Sequence, residues 1–165
     1  GNADVVLANA ERLPFAPDTF DLILSNLGVN NFDDPAAALS ECRRVARPGA
    51  RLVLTTNTLG HMREFYAIFR DVLREIGAPG DLERLEKDER HRINRDGLVI
   101  LLEAAGFTAS RLVESSFQLR FLDGSALLRD YLVRLGFLDG WKSVVDRERA
   151  VRVFGTLEAR LNAVA

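Results

Sequence analysis

The sequence predicts an α/β fold organised on a mostly parallel sheet with an antiparallel C-terminal edge, and three observations carry that expectation. Apolar runs of strand length, Ala3–Leu7, Phe20–Ser25 and Arg51–Thr56, alternate with stretches of helical periodicity. A strand, a helix and a strand in this order and at these lengths form a right-handed crossover, so the strands they connect run parallel. Near the far end, Phe107–Glu114 and Phe117–Leu122 are separated only by Ser115 and Ser116. That connection is too short for a crossover, so these two run antiparallel or form one bent strand.

Each element has a local reason. Phe20, Leu22, Ile23 and Leu24 make a run too brief for a helix, which reads as a buried strand. Ser25, Asn26, Gly28, Asn30 and Asn31 follow it, small or amide-bearing residues at the carboxyl end of a strand, where open α/β sheets bind ligands. Asp34 and Pro35 read as an N-cap and first helical residue, opening a helix through Ala36–Ala46 that Arg47-Pro48-Gly49 stops. Upstream, Asn9–Phe15 forms a loop, bounded by Pro14 and Pro17. Gly60–Ile76 repeats apolar residues at helical spacing and ends at Gly77. Asp81–Arg95 alternates charge sign, the pattern of an exposed, ion-paired helix, and Asp96 is placed to cap Leu98–Ala105. Ser125–Leu135 is amphipathic, Phe137–Trp141 reads as a turn, and Ser143 with Asp146 resembles a capping box opening a last helix to about Val164.

Composition narrows the function. With 165 residues, 47% of them hydrophobic, the chain suits a single domain over 1–165, sheet-forming through residue 122 and closed by helices over 123–165. A net charge of −2 provides no basic field for nucleic acid or an anionic membrane surface, and no run has the length of a membrane span. A cytoplasmic location is the default expectation. Cys42 is the only cysteine, and with just His61 and His91 beside it the chain is short of soft ligands for a structural metal. The chain begins at Gly1 with a strand-like run close behind, which leads us to expect the later part of something longer.

Four segments, NAERLPF (9–15), FDLILSNLGVNNFDDP (20–35), ECRRVARPGARLVLTT (41–56) and LLEAAGF (101–107), resemble in order and spacing the later half of a class I S-adenosylmethionine-dependent methyltransferase. The resemblance implies a Rossmann-like sheet lacking the family's first two strands, S-adenosylmethionine as cofactor and a small organic molecule as methyl acceptor. It places Asn9, Ala10 and Glu11 where the family contacts adenine, with Asn9 in place of an acidic residue. Asparagine still accepts a hydrogen bond, without the charge. The resemblance puts Ser25, Asn26 and Leu27 beside the methionine part of the cofactor, and Asn30 and Asn31 where the family often carries histidine or an aromatic pair. The family's glycine-rich loop and ribose-binding carboxylate have no counterpart in these residues.

Methyl transfer is a displacement that needs positioning more than side-chain chemistry. If an acceptor must lose a proton, His61 is the candidate base because it follows the Arg51–Thr56 strand; the plain alternative is an exposed histidine at a helix start. Tyr66 is a candidate acceptor-lining residue, against the commoner role of core aromatic. A missing strand pair would leave Phe20–Ser25 with a bare edge. Three outcomes stay open: a fragment of a longer protein, a homodimer or partner chain covering that edge, or direct pairing of Ala3–Leu7 on Phe20–Ser25.

Overall fold

In the computed structural model, which describes residues 3–165, the run after Thr19 becomes strand β1 (Phe20–Asn26) and pairs in parallel with β2 (Ala46–Thr55). The helices are α1 (Pro35–Val45), α2 (Arg63–Ile76), α3 (Pro79–Arg90), α4 (Arg95–Ala104), α5 (Gly124–Arg129), α6 (Tyr131–Gly136), α7 (Leu138–Ser143) and α8 (Ala150–Val164). Contacts gather into two units, one comprising the chain up to Leu59 with Arg92–Val113, the other Gly60–His91 with Glu114–Ala165. Gly1 and Asn2 lie outside the described residues. Among the described residues no helix is long and apolar enough to cross a membrane.

In the first unit α1 is the crossover between the two strands. The Asp34 carboxylate accepts the Ala37 N–H at 3.0 Å and Pro35 takes the first helical position, as the sequence indicates. Ala38, Leu39 and Val45 form the buried side of this helix. Strand β2 begins at Ala46, ahead of the expected Arg51, and its register on β1 is interrupted: Phe20 faces Ala46, then Leu22 faces Arg51. Pro48, which has no N–H to donate, and Gly49 fall in that interruption. Helix α4, capped by Asn94 and not by Asp96, packs against α1.

The second unit is helical. Phe65, Tyr66, Phe69, Val72 and Leu73 of α2 are buried together with Val153, Leu157 and Leu161 of α8. Trp141 stacks on Phe65 with ring centroids 4.1 Å apart and donates its Nε1–H to the Tyr66 hydroxyl at 3.0 Å. Gly77 closes α2 in the left-handed conformation, as its position after the apolar stripe indicates. The charged helix α3 is less exposed than its sequence suggests, because the Asp81 side chain is fully buried. Its carboxylate receives both Nε and Nη2 of Arg149, at 3.1 and 2.8 Å, and a further contact from Arg84 at 2.5 Å. Arg84 also donates to the Val144 carbonyl at 2.8 Å.

Several expected elements are absent, for a common reason. Ala3–Leu7 forms no ladder, and Val5 and Leu7 stand in solvent. The outcome in which it pairs on Phe20–Ser25 is therefore not the one observed. Phe107–Glu114 and Phe117–Leu122 likewise make no ladder, so among the described residues the sheet has two parallel strands and no antiparallel edge. Strand propensity becomes a strand only where a neighbour satisfies the backbone N–H and C=O groups. Ser125–Leu135 is interrupted at Asp130, whose extended ψ of 140° ends α5 and whose side chain caps α6. Phe137–Trp141 enters helix α7, and the final helix starts at Ala150 without the Ser143 capping box.

Burial pushes the Asp81 carboxyl up, but hydrogen bonds and charge from Arg149, with the Asp146 backbone and Arg84, outweigh it and hold the group below the ordinary value of 3.8. A carboxyl whose folded pKa lies below its unfolded one contributes stability above that ordinary value and loses it as pH falls through the folded pKa. Replacing Asp81 by Asn leaves two guanidinium groups short of a counter-charge, with an expected cost of about 3 kcal/mol in urea unfolding at pH 7. The gap between wild type and Asp81→Asn should narrow below about pH 4.

Candidate functional site

The bend after β1 sits where both parallel strands end. Leu27, at φ 56°, donates its N–H to the Thr55 carbonyl at 3.0 Å and to Thr55 Oγ1 at 3.2 Å. The Thr55 hydroxyl in turn donates to Asn26 Oδ1 at 2.6 Å. The strand tips are thus bonded to each other just beyond the last ladder pair, Asn26 with Thr55. Asn31 donates Nδ2–H to the Leu27 carbonyl at 2.8 Å, and Asn30 donates to the Asn57 carbonyl at 2.7 Å while accepting from the Ile93 N–H at 3.3 Å. Both amides thus bond backbone groups around the bend.

The loop from Asn9 to Phe15 is strapped along α1. Asn9 Oδ1 accepts the Glu11 N–H at 2.8 Å, a local turn that leaves the second lone pair of this oxygen and the Nδ2 donors available on an exposed side chain. Glu11 is turned to another task, since its carboxylate accepts the Asp34 N–H at 2.7 Å at the start of α1. Further along, Glu41 accepts the Leu13 N–H at 2.8 Å, while Arg44 donates to the carbonyls of Phe15 and Leu13 at 2.8 and 3.0 Å. Sequence reasoning missed Glu41 and Arg44 as site residues. The available signal was an acid and a base three apart on the helix that follows the bend.

Loop and bend meet around a cavity of about 190 Å³, lined by Ala10 and Leu13 of the loop, Ser25 of β1, Val29 of the bend, Leu39 of α1 and Leu54 of β2. The lining is mostly apolar, with the Ser25 hydroxyl among its few polar groups. Gly28 is required by close approach, because a Cβ there would lie 2.7 Å from Ser25 Oγ and 3.1 Å from the Phe32 ring. One residue past β2, the Thr56 hydroxyl is buried with no hydrogen-bond partner among the described residues. Of the expected cofactor contacts, the structure brings Ala10 and Ser25 to one cavity and keeps Asn26 and Leu27 at the strand tips.

The two remaining candidates lie in the second unit. His61 stacks on Phe137 with centroids 5.4 Å apart and its Nε2 is buried, so it is not the exposed helix-start histidine of the plain alternative. Tyr66 is fully buried and its hydroxyl accepts from Trp141, which makes it a core residue and not a pocket lining.

The contact of Gly28 with Ser25 and Phe32 has a measurable consequence. Gly28→Ala should destabilise the chain by about 1–2 kcal/mol in denaturant unfolding. In a Ser25→Ala background the same substitution should cost measurably less, because the hydroxyl it strikes is gone.

Comparison with known proteins finds methyltransferases similar in sequence. A family model described as "Methyltransferase domain" matches residues 1–54. The chain is 33% identical over 118 residues to the ubiquinone/menaquinone biosynthesis C-methyltransferase UbiE of Haemophilus ducreyi, covering 65% of this chain and 45% of that protein. It is 32% identical over 115 residues to a demethylmenaquinone methyltransferase of Mycobacterium sp. strain KMS, covering 64% and 50%. Over 54 residues it is 48% identical to UbiE of Klebsiella pneumoniae, covering 33% and 22%. The chain thus spans about half the length of the first two relatives. A crystal structure of a candidate methyltransferase from Bacillus halodurans C-125 overlaps 60% of this chain and 39% of its own at 26% identity, with a TM-score of 0.41. The stretch that matches the methyltransferase-domain model is the one that carries the loop, the bend and α1.

Proposed function

We propose that this chain forms part of an enzyme that moves a methyl group from S-adenosylmethionine to a small organic acceptor on a Rossmann-like sheet. The observation that carries the reading is the meeting of Ala10 and Ser25 at one cavity beside the carboxyl ends of two parallel strands. The fit can be tested on the residues themselves. A mostly apolar cavity with a hydroxyl and an adjacent exposed amide, Asn9, suits a flat, weakly polar base. Among the described residues no carboxylate lines it, so these residues suit the adenine end of the cofactor and not its ribose or sulfonium. The Asn9 side chain and the Ala10 N–H would hold the base, and the Leu27 turn would border the methionine portion. Bound S-adenosylmethionine supplies the electrophilic methyl group. The chain's own part is orientation: the amides of Asn30 and Asn31 fix the bend, and Glu11 fixes the loop. Several relatives are named for quinone methylation, and from them we extend to this chain only the class of acceptor, a small organic molecule.

Ligand-observed NMR tests the assignment. Saturation of the protein methyl groups should pass to the adenine protons of millimolar S-adenosylhomocysteine, and Ala10→Phe, which fills the cavity from the loop, should abolish the transfer. Adenine protons that stay unsaturated in the wild type would remove the cofactor assignment.

A second reading rests on a different observation. Leu22 and Leu24 of β1 and Val53 of β2 are 52%, 70% and 45% exposed, and β1 has one strand neighbour among the described residues. An apolar sheet face beside an open strand edge is a pairing surface. On this reading the chain is a methyltransferase-like module that another chain, or a second copy, completes. Static light scattering at micromolar concentration should then give a dimer that Leu24→Lys returns to monomer. A monomeric wild type would rule out the second-copy form.

A further inference from the structure

We propose that Glu41 and Arg44 are positioning residues for the adenine-binding loop: they act through residues 13–15 to hold Asn9 and Ala10 in the geometry that receives the base. The inference deepens the cofactor reading above and rests on it.

The geometry is that of a clamp with two jaws. On one side, Glu41 Oε2 accepts the Leu13 N–H at 2.8 Å. On the other, the Arg44 guanidinium reaches two carbonyls of the same loop, Phe15 at 2.8 Å through Nη1 and Leu13 at 3.0 Å through Nη2. The jaws are bonded to each other, Nε to Oε1 at 2.6 Å and Nη2 to Oε2 at 2.8 Å, so each fixes the other's rotamer. A planar fork that spends one edge on a carboxylate and the remainder on carbonyls is a role lysine cannot fill, since its ammonium is a point charge on a flexible stem. The backbone continues the attachment: the Asp18 and Thr19 N–H groups donate to the Arg44 and Val45 carbonyls at 3.1 and 2.8 Å, capping the last turn of α1.

The Glu41 carboxyl registers the same contacts. Its pKa is lowered from 4.5 to about 2, chiefly by the hydrogen bond from Arg44 and then by the Leu13 N–H. At neutral pH it is therefore a permanent acceptor. The loop reaches α1 at both ends, through Glu11 to the Asp34 N–H and through Leu13 and Phe15 to this pair. Asn9 and Ala10 lie just ahead of those anchors, with Asn9 held by its own turn to Glu11. Ordering them before the base arrives removes an entropic cost of binding.

The clamp is tested on the full chain with four variants. Glu41→Ala removes the acceptor; Glu41→Gln keeps an acceptor oxygen without charge; Arg44→Lys keeps charge without the fork; Ser40→Gly weakens the same helix at an exposed position. Two quantities are read: hydrogen exchange of the Leu13 amide and affinity for adenosine. Glu41→Ala and Arg44→Lys should each speed Leu13 exchange and weaken adenosine binding about tenfold, the scale of one charge-assisted hydrogen bond. Glu41→Gln should restore part of both, and Ser40→Gly should lower the melting temperature with affinity unchanged. Slow Leu13 exchange in Glu41→Ala would overturn the clamp. Faster exchange with full adenosine affinity would overturn the positioning role while leaving the cofactor reading intact. A wild type that binds no adenosine would bring down the cofactor reading and, with it, this one.

Discussion

Parallel strands cannot be joined by a tight turn, and that constraint organises the first unit. Because β1 and β2 run the same way, the chain must travel back between them, and α1 is the element that makes the journey. The crossover delivers both strand tips to one end, where the Leu27 N–H and the Thr55 hydroxyl bond across the gap. It also lays a helix over one sheet face, and this helix supplies the surface along which the loop from Asn9 to Phe15 is tied. Loop, bend and cavity are all consequences of one strand pairing.

The parts of this arrangement legible in the sequence are those decided locally. Asp34 followed by Pro35 starts a helix by satisfying an orphan amide and presetting φ, and Gly77 ends one by accepting a left-handed turn. The run through Leu22, Ile23 and Leu24 has few alternatives to a strand at its length. In each case the information sits within a few residues of the feature it specifies.

What was not legible depends on residues distant in the chain. Ala3–Leu7 and Phe107–Leu122 carry strand chemistry, but a ladder needs a neighbour, and the sequence of a segment does not contain its partner. Asp81 sits in a run of alternating charge that reads as a solvated face, yet Arg149 makes it a buried anion from far along the chain. Asn30 and Asn31 look like ligand groups until their backbone partners are seen. Glu41 and Arg44 look like an ordinary ion pair on a helix until the loop carbonyls beside them come into view. In each case the polar side chain bonds a group that lies elsewhere in the chain, which its local sequence does not reveal.

The hydrogen bond between Trp141 and Tyr66 has an optical corollary. Trp141 is the only tryptophan of the chain, and it is enclosed in the helical unit against Phe65. Indole emission is thus a reporter of that unit and is silent about the strands, the loop and the cavity. A melt followed by fluorescence and one followed by sheet circular dichroism interrogate different bodies of the same molecule, and their midpoints need not coincide.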